Sequence, residues 1–167
     1  MSTFVKPSVD YPPKLQQRRM LLFLLAALIL ILDQTSKFIV CRIILPGGSF
    51  PVIKNILHLT HVQNQGAAFG LFPNQTLFFI GITLFTILLI LFFHQRISKE
   101  GSSPSWALGL ILGGAIGNLI DRIRLKAVID FLDFSLKGHH WPSFNIADSA
   151  ITIGAVILLF SVFKKGK

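Results

Sequence analysis

The chain is poor in what soluble proteins use to face water. Only 14% of its 167 residues are Asp, Glu, Lys or Arg, against about 25% in an ordinary soluble domain. Hydrophobic residues make up 52%, and the mean hydropathy is +0.67. A globule of this composition could not cover itself with polar surface, so a soluble fold is excluded. Disorder is excluded too, because apolar surface is in excess rather than short. Cys41 is the single cysteine, so there is no disulfide framework of the kind found in small secreted domains. Acids are scarcer than bases, with six Asp and one Glu against sixteen Lys and Arg. What is left is an integral membrane protein.

Several chemistries are missing as well. No His-Glu-x-x-His zinc motif occurs, and His58-x-x-His61 is a weak ligand pair on an alternating stretch. There is no Gly-x-Ser-x-Gly nucleophile elbow. Gly113-Gly114 lies within an apolar run rather than between strand and helix, so it is no phosphate cradle. Cys41 has no evident base nearby in sequence and reads as an inert thiol. No segment is repeated. The net charge of +9 would suggest nucleic acid in a soluble protein. Here nine of the bases lie in the tails and the 94–105 connection, where anionic lipid headgroups and topology account for them, so no nucleic-acid partner is expected.

Four apolar runs are present. Met20–Leu32 continues through Asp33-Gln-Thr-Ser-Lys37 to Cys41, about 22 residues, enough to cross a bilayer core of about 20 helical residues. No small-x-small cleavage site follows it, which argues against a cleaved signal peptide. The other spans are expected at about 76–93, 105–120 and 146–163. Between the first two, Leu57–Val62 alternates, with turn signals at Pro46-Gly-Gly48 and Gln65-Gly66, so a small β element is expected over about 50–72, on the membrane surface. The expected fold is thus an all-α integral membrane protein of four transmembrane helices with a small extracytoplasmic β element. Residues 1–19 read as a mobile cytoplasmic tail, 20–163 as the membrane domain, and 164–167 as a basic tail. An even number of spans puts both termini on one side, and Lys6, Lys14, Arg18 and Arg19 favour the cytoplasm.

The acids near the apolar runs are the candidates for chemistry, since a charge inside a membrane costs roughly 2.5–3.5 kcal/mol on insertion scales. Asp33 and Lys37 are four apart in the favourable acid-first order and can neutralise each other. Gly109, Gly113, Gly117 and Asp121 recur in steps of four, so the glycines form a packing face that delivers Asn118, Asp121 and Arg122 to the outer end of the bundle. Arg122, Arg124, Lys126 and Lys137 share a loop with Asp121, Asp130 and Asp133, and pairing among them is expected. Asp130 lies in the apolar tetrapeptide Val128-Ile-Asp-Phe131, read as loop. Asp148 follows Asn145 by three residues, close to a capping box at the start of the fourth span. Spacing alone leaves two readings of these acids open: a peptidase dyad, or a polar path in a non-enzymatic proton- or ion-conducting subunit.

Five blocks in one order resemble the lipoprotein signal peptidase (signal peptidase II) family. They are Asp33-Gln-Thr-Ser-Lys37, Asn64-Gln-Gly-Ala-Ala-Phe-Gly70, Gly113-Gly-Ala-Ile-Gly-Asn-Leu-Ile-Asp-Arg122, Val128-Ile-Asp-Phe131 and Phe144-Asn-Ile-Ala-Asp148. The resemblance covers about residues 20–163; the N-terminal tail is longer than the family requires, and a second acid, Asp133, follows the fourth block. It implies an aspartyl endopeptidase of the bacterial inner membrane that cuts diacylglyceryl-modified prolipoproteins just before the lipidated cysteine. Asp130 and Asp148 would be the catalytic pair. Asp33, Lys37, Asn64, Gly66, Asn118, Arg122 and Asn145 would shape the site or contact substrate. Neither metal nor cofactor is implied; membrane lipids and globomycin-type inhibitors are. With Asp148 near the positive end of a helix dipole, the expectation is Asp148 as base and Asp130 as acid.

Overall fold

A computed structural model describes residues 12–66, 72 and 74–164. Four helices alternate with a small antiparallel sheet: α1 (Pro13–Ile43), β1 (Ser49–Ile53), β2 (Leu57–Asn64), α2 (Thr76–Ser98), α3 (Ser102–Leu125), β3 (Val128–Leu136), β4 (His139–His140) and α4 (Ile146–Phe163). Among the described residues, α1, α2 and α3 are each long and apolar enough to cross a membrane, and α4 is a shorter apolar helix. The outer helix faces carry exposed apolar side chains such as Leu28, Ile31, Phe85, Leu88 and Phe160, as helices facing lipid do.

The helix α3 lies at the centre, and its glycines explain why. A Cβ on Gly113 would lie 2.5 Å from the Ala26 carbonyl oxygen of α1, and one on Gly114 would lie 2.5 Å from the Ala147 carbonyl oxygen of α4. Only glycine lets the three backbones come this close. The expected packing face is therefore real, and it seats neighbours on two sides. Leu22, Ala26, Ile90, Leu108 and Leu112 fill the space below it.

Two expectations need correction. The first helix begins at Pro13, not at residue 20, so residues 13–19 are helix rather than tail. Proline at the first helical position has its φ preset, and Leu15 is buried while Arg18 Nη1 donates to the Ser98 carbonyl at 3.0 Å. The remainder of the expected 1–19 tail, residues 1–11, lies outside the described residues, as do 165–167 and residues 67–70 of the second motif block.

The other correction concerns the sheet. It is not confined to 50–72: its order is β1-β2-β3-β4, and the segment after α3, expected as loop, is strand β3. Lys126 closes α3 in the left-handed region (φ 58°), its N–H bonded to the Arg122 carbonyl at 3.1 Å, and turns the chain into β3. There the β-prone run Val128–Phe134 pairs antiparallel with β2, Asn64 opposite Val128 and Val62 opposite Asp130. Phe144 exchanges backbone hydrogen bonds with Leu132 at 2.8 and 3.0 Å, tying the entry of α4 to the same strand.

Candidate active site

Strands β2 and β3, helix α3 and the start of α4 bring polar side chains to a common point. Asp130 on β3 is buried, 2% exposed. Asn64, at the end of β2, donates from Nδ2 to Asp130 Oδ2 at 3.0 Å. Asn145, just before α4, donates from Nδ2 to Asp130 Oδ1 at 2.7 Å. Asp148, in the first turn of α4, accepts at Oδ1 from Asn118 Nδ2 at 2.7 Å. Its capping box is formed as well: Asn145 Oδ1 accepts the Asp148 N–H at 2.9 Å, and Asp148 Oδ2 accepts the Asn145 N–H at 3.3 Å. Capping and site construction are the same bonds.

The amide orientations follow from their second partners. Asn64 Oδ1 accepts the Gly66 N–H at 2.9 Å, Asn145 Oδ1 is taken by the Asp148 N–H, and Asn118 Oδ1 accepts from Lys37 Nζ at 3.0 Å. Each amide therefore turns its NH₂ toward a carboxyl group. Asp130 nevertheless has its pKa raised from 3.8 to about 7, chiefly by burial and next by the Asp148 charge, with the Asn64 and Asn145 hydrogen bonds opposing.

Both acids line a cavity of about 530 Å³ with Asn64, Gly66, Arg122 and Trp141. A groove of about 270 Å³, walled by Phe79, Thr83 and Ile111, meets it at Arg122 and Asp148. Arg122 lies over the Phe79 ring, 5.3 Å from its centroid, rather than in an ion pair. The pairing expected within the 121–137 segment is not found. Asp121 faces inward to Lys37 at 2.7 Å, and Asp133 bonds His140 Nδ1 at 2.9 Å. Arg124 and Lys126 stay exposed at the helix end.

Asp33 and Lys37 form the expected pair, 2.8 Å apart, but both are buried behind the cavity rather than lining it. The role of Asp121 was missed: the four-residue step from Gly109 through Gly117 already placed it on the face toward α1. Cys41 is also less isolated than it reads in sequence, with Sγ 3.5 Å from His61 Nε2. His61 is held by the Ile44 carbonyl, while His58 packs against His140, so the two histidines do not form a ligand pair.

Three helices of membrane length, with one acid from strand β3 and one from α4 lining a single cavity, define a membrane protein with a two-acid site. The sequence profile of the signal peptidase (SPase) II family matches residues 25–164, and the chain belongs to that family. It is 46% identical over 143 residues to the lipoprotein signal peptidase of Caldanaerobacter subterraneus subsp. tengcongensis, covering 85% of this chain and 95% of the relative. It is also 46% identical over 145 residues to that of Brevibacillus brevis, covering 87% and 96%. A bacterial membrane enzyme solved by the in meso method at 2.3 Å superposes with a TM-score of 0.82 at 34% identity, covering 87% of this chain and 89% of that one. The protein is a membrane protease for prolipoprotein signal peptides.

Proposed function

We propose that the protein is an aspartyl endopeptidase that cuts diacylglyceryl-modified prolipoproteins just before the lipidated cysteine, with Asp130 and Asp148 as its catalytic pair. The observation that carries this reading is Asn145, a buried residue that bonds both of the acids lining one cavity. Hydrolysis by two carboxyls requires one ionised and one protonated. Asp130, with a pKa of about 7, retains much of its proton at neutral pH and is the acid. Each carboxyl oxygen has two acceptor positions, so protonated Asp130 can keep both amide bonds and still present its O–H to the scissile carbonyl. Asp148, held by Asn118 and a backbone N–H, takes a proton from the attacking water. The tetrahedral intermediate then collapses, and Asp148 returns that proton to the leaving amine.

Arg122, Asn64 and Gly66 line the cavity where the peptide backbone would lie. The groove that meets it at Asp148 offers an apolar wall toward the bilayer, suited to a substrate whose lipid stays in the membrane. We further propose that α4 crosses the membrane as a fourth span. Its 18 residues are about 27 Å long, near the roughly 30 Å of a hydrocarbon core. The membrane domain would then run over 20–163, with both termini in the cytoplasm, the sheet outside, and the chain in the bacterial inner membrane. Globomycin-type inhibitors would occupy the cavity. A conducting subunit is not favoured, because Asp33, Lys37 and Asp121 close on one another instead of lining a path.

The test is cleavage by purified protein of one precursor with and without diacylglycerol. Loss of the lipid removes two acyl chains, each buried CH₂ being worth about 0.8 kcal/mol, together with the placement of the scissile bond. Cleavage of the lipidated form alone, insensitive to chelators, is expected. Equal cleavage of both forms, or inactivation by chelators, would refute the mechanism.

A further inference from the structure

Behind the cavity lies a buried ionic cluster, Asp33, Lys37 and Asp121, none of which lines it. Lys37 Nζ bonds Asp33 Oδ2 at 2.8 Å, Asp121 Oδ2 at 2.7 Å and Asn118 Oδ1 at 3.0 Å. Gln34 Nε2 closes the ring, donating to Asp33 Oδ2 and Asp121 Oδ1 at 3.1 Å each and to the Gly117 carbonyl at 3.2 Å. Lys37 is 3% exposed, Asp33 0% and Asp121 4%. A buried ion network of this kind is often no more stabilising than well-packed apolar side chains, and it is retained in attested cases for the register it fixes.

The free lone pairs of the two acids show which register is fixed here. Asp33 Oδ1 accepts the N–H of Ala147 at 3.0 Å, and Asp121 Oδ2 accepts the N–H of Ile129 at 3.3 Å. Ala147 immediately precedes Asp148, and Ile129 immediately precedes Asp130. A third arm runs from Lys37 through Asn118 to the Asp148 carboxyl. The cluster thus grips both acid-bearing segments at the same position, one residue upstream of each acid.

We infer that Lys37, Asp33 and Asp121 form a positioning hub that sets the separation and orientation of Asp130 and Asp148. The inference rests on the assignment of those two acids as the catalytic pair. Lys37 carries the one positive charge shared by both arms, and its field favours the ionised form of Asp130. None of the three contacts substrate. Their loss should act on turnover rather than on binding, because misplacing reacting groups by about 1 Å costs on the order of 100-fold in rate.

The experiment compares Lys37→Met, Asp33→Asn and Asp121→Asn with the parent enzyme in detergent, using a lipidated precursor. Asp130→Asn and Asp148→Asn are assayed in parallel. Folding is checked by thermal melting and chromatographic elution. Folded hub variants are expected to lose about tenfold to 100-fold in kcat with KM within about threefold. For Lys37→Met, the basic limb of the pH–rate profile, set by Asp130, should move to higher pH, since the cation that favours its ionised form is gone. A merely structural role would lower the yield of folded enzyme without moving the profile. Should Lys37→Met not fold, Asp121→Asn, which keeps the Lys37–Asp33 pair and an acceptor for Ile129, supplies the same kcat readout. Parental kcat and pH profile in folded hub variants would overturn the hub while Asp130→Asn and Asp148→Asn remain inactive. Near-parental activity in either of those two would overturn the pair and the hub together.

Discussion

Asn145 donates to Asp130 at 2.7 Å while its own side-chain oxygen caps the Asp148 N–H at 2.9 Å, so one amide fixes an acid on a strand against an acid on a helix. Replacing it should damage both functions. Asn145→Ala loses an N-cap worth about 1 kcal/mol and a hydrogen bond to a carboxyl worth about 1.5–3 kcal/mol. The expected outcome is a lower melting temperature and a fall in kcat/KM of at least about tenfold. Asn145→Asp can still cap the helix but sets a third carboxylate beside Asp130. It should be impaired and also melt below the parent, because the donor to Asp130 is lost and a carboxylate is buried in its place. Parental activity in Asn145→Asp would show that the amide acts only as a cap.

Activity should fall as pH rises through about 7. Asp130 must be protonated to act as the acid, and burial together with the Asp148 charge raises its pKa to that value from 3.8. The amide donors of Asn64 and Asn145 favour the anion, so removing one moves the pKa up. Asn64→Ala should therefore shift the basic limb of the kcat/KM profile to higher pH. The check is the profile of each protein with one lipidated precursor; a downward shift would contradict the assignment of Asp130 as acid.

Two glycines offer a matched test of packing. A Cβ at Gly113 would press on the Ala26 carbonyl of α1 at 2.5 Å, whereas one at Gly81 on α2 would meet nothing within 4 Å. Gly113→Ala should destabilise the detergent-purified protein by about 1–3 kcal/mol, the range for overpacking. Gly81→Ala should be neutral or stabilising by up to about 1 kcal/mol, the helix-propensity difference. Equal melting temperatures for the two variants would mean that α1 and α3 are not in close backbone contact.

Topology is open to labelling. With Cys41 replaced by Ala, single cysteines at Ser49, the first residue of β1, and at Ser102, at the start of α3, sit at exposed positions on opposite sides of the proposed membrane domain. An impermeant thiol reagent added from the periplasmic side should reach the first and not the second. The reverse pattern would invert the bundle.

The apolar runs made the helices legible, because a run near bilayer length with Gly every fourth residue leaves few other folds. Strand β3 was not legible in the same way. Val128–Phe134 is short and apolar beside a helix end, and it becomes a strand only by pairing with β2, 64 to 77 residues earlier in the chain. For the site, Asn145 and Asp148 could be read locally, since a capping box spans three residues. The link from Lys37 to Asp121 could not, because the partners are 84 positions apart on different helices. Pairing by sequence proximity assigned Asp121 to its neighbouring arginines, whereas the step of four that aligns it with Gly117 turns it toward α1. The helical start at Pro13 was hidden by the polar composition of residues 14–19, of which Leu15 is the buried exception.

The account stands most directly on the chemistry of Asp130 and Asp148. In purified variants that elute and melt like the parent, Asp130→Asn and Asp148→Asn should each lower cleavage of a diacylglyceryl precursor by roughly 100- to 10,000-fold, the span of general acid–base catalysis. Asp133→Asn, three positions beyond Asp130 on β3, should keep most of the activity, since Asp133 bonds His140 rather than the second acid. Loss of cleavage in Asp133→Asn with activity retained in Asp130→Asn would contradict the account.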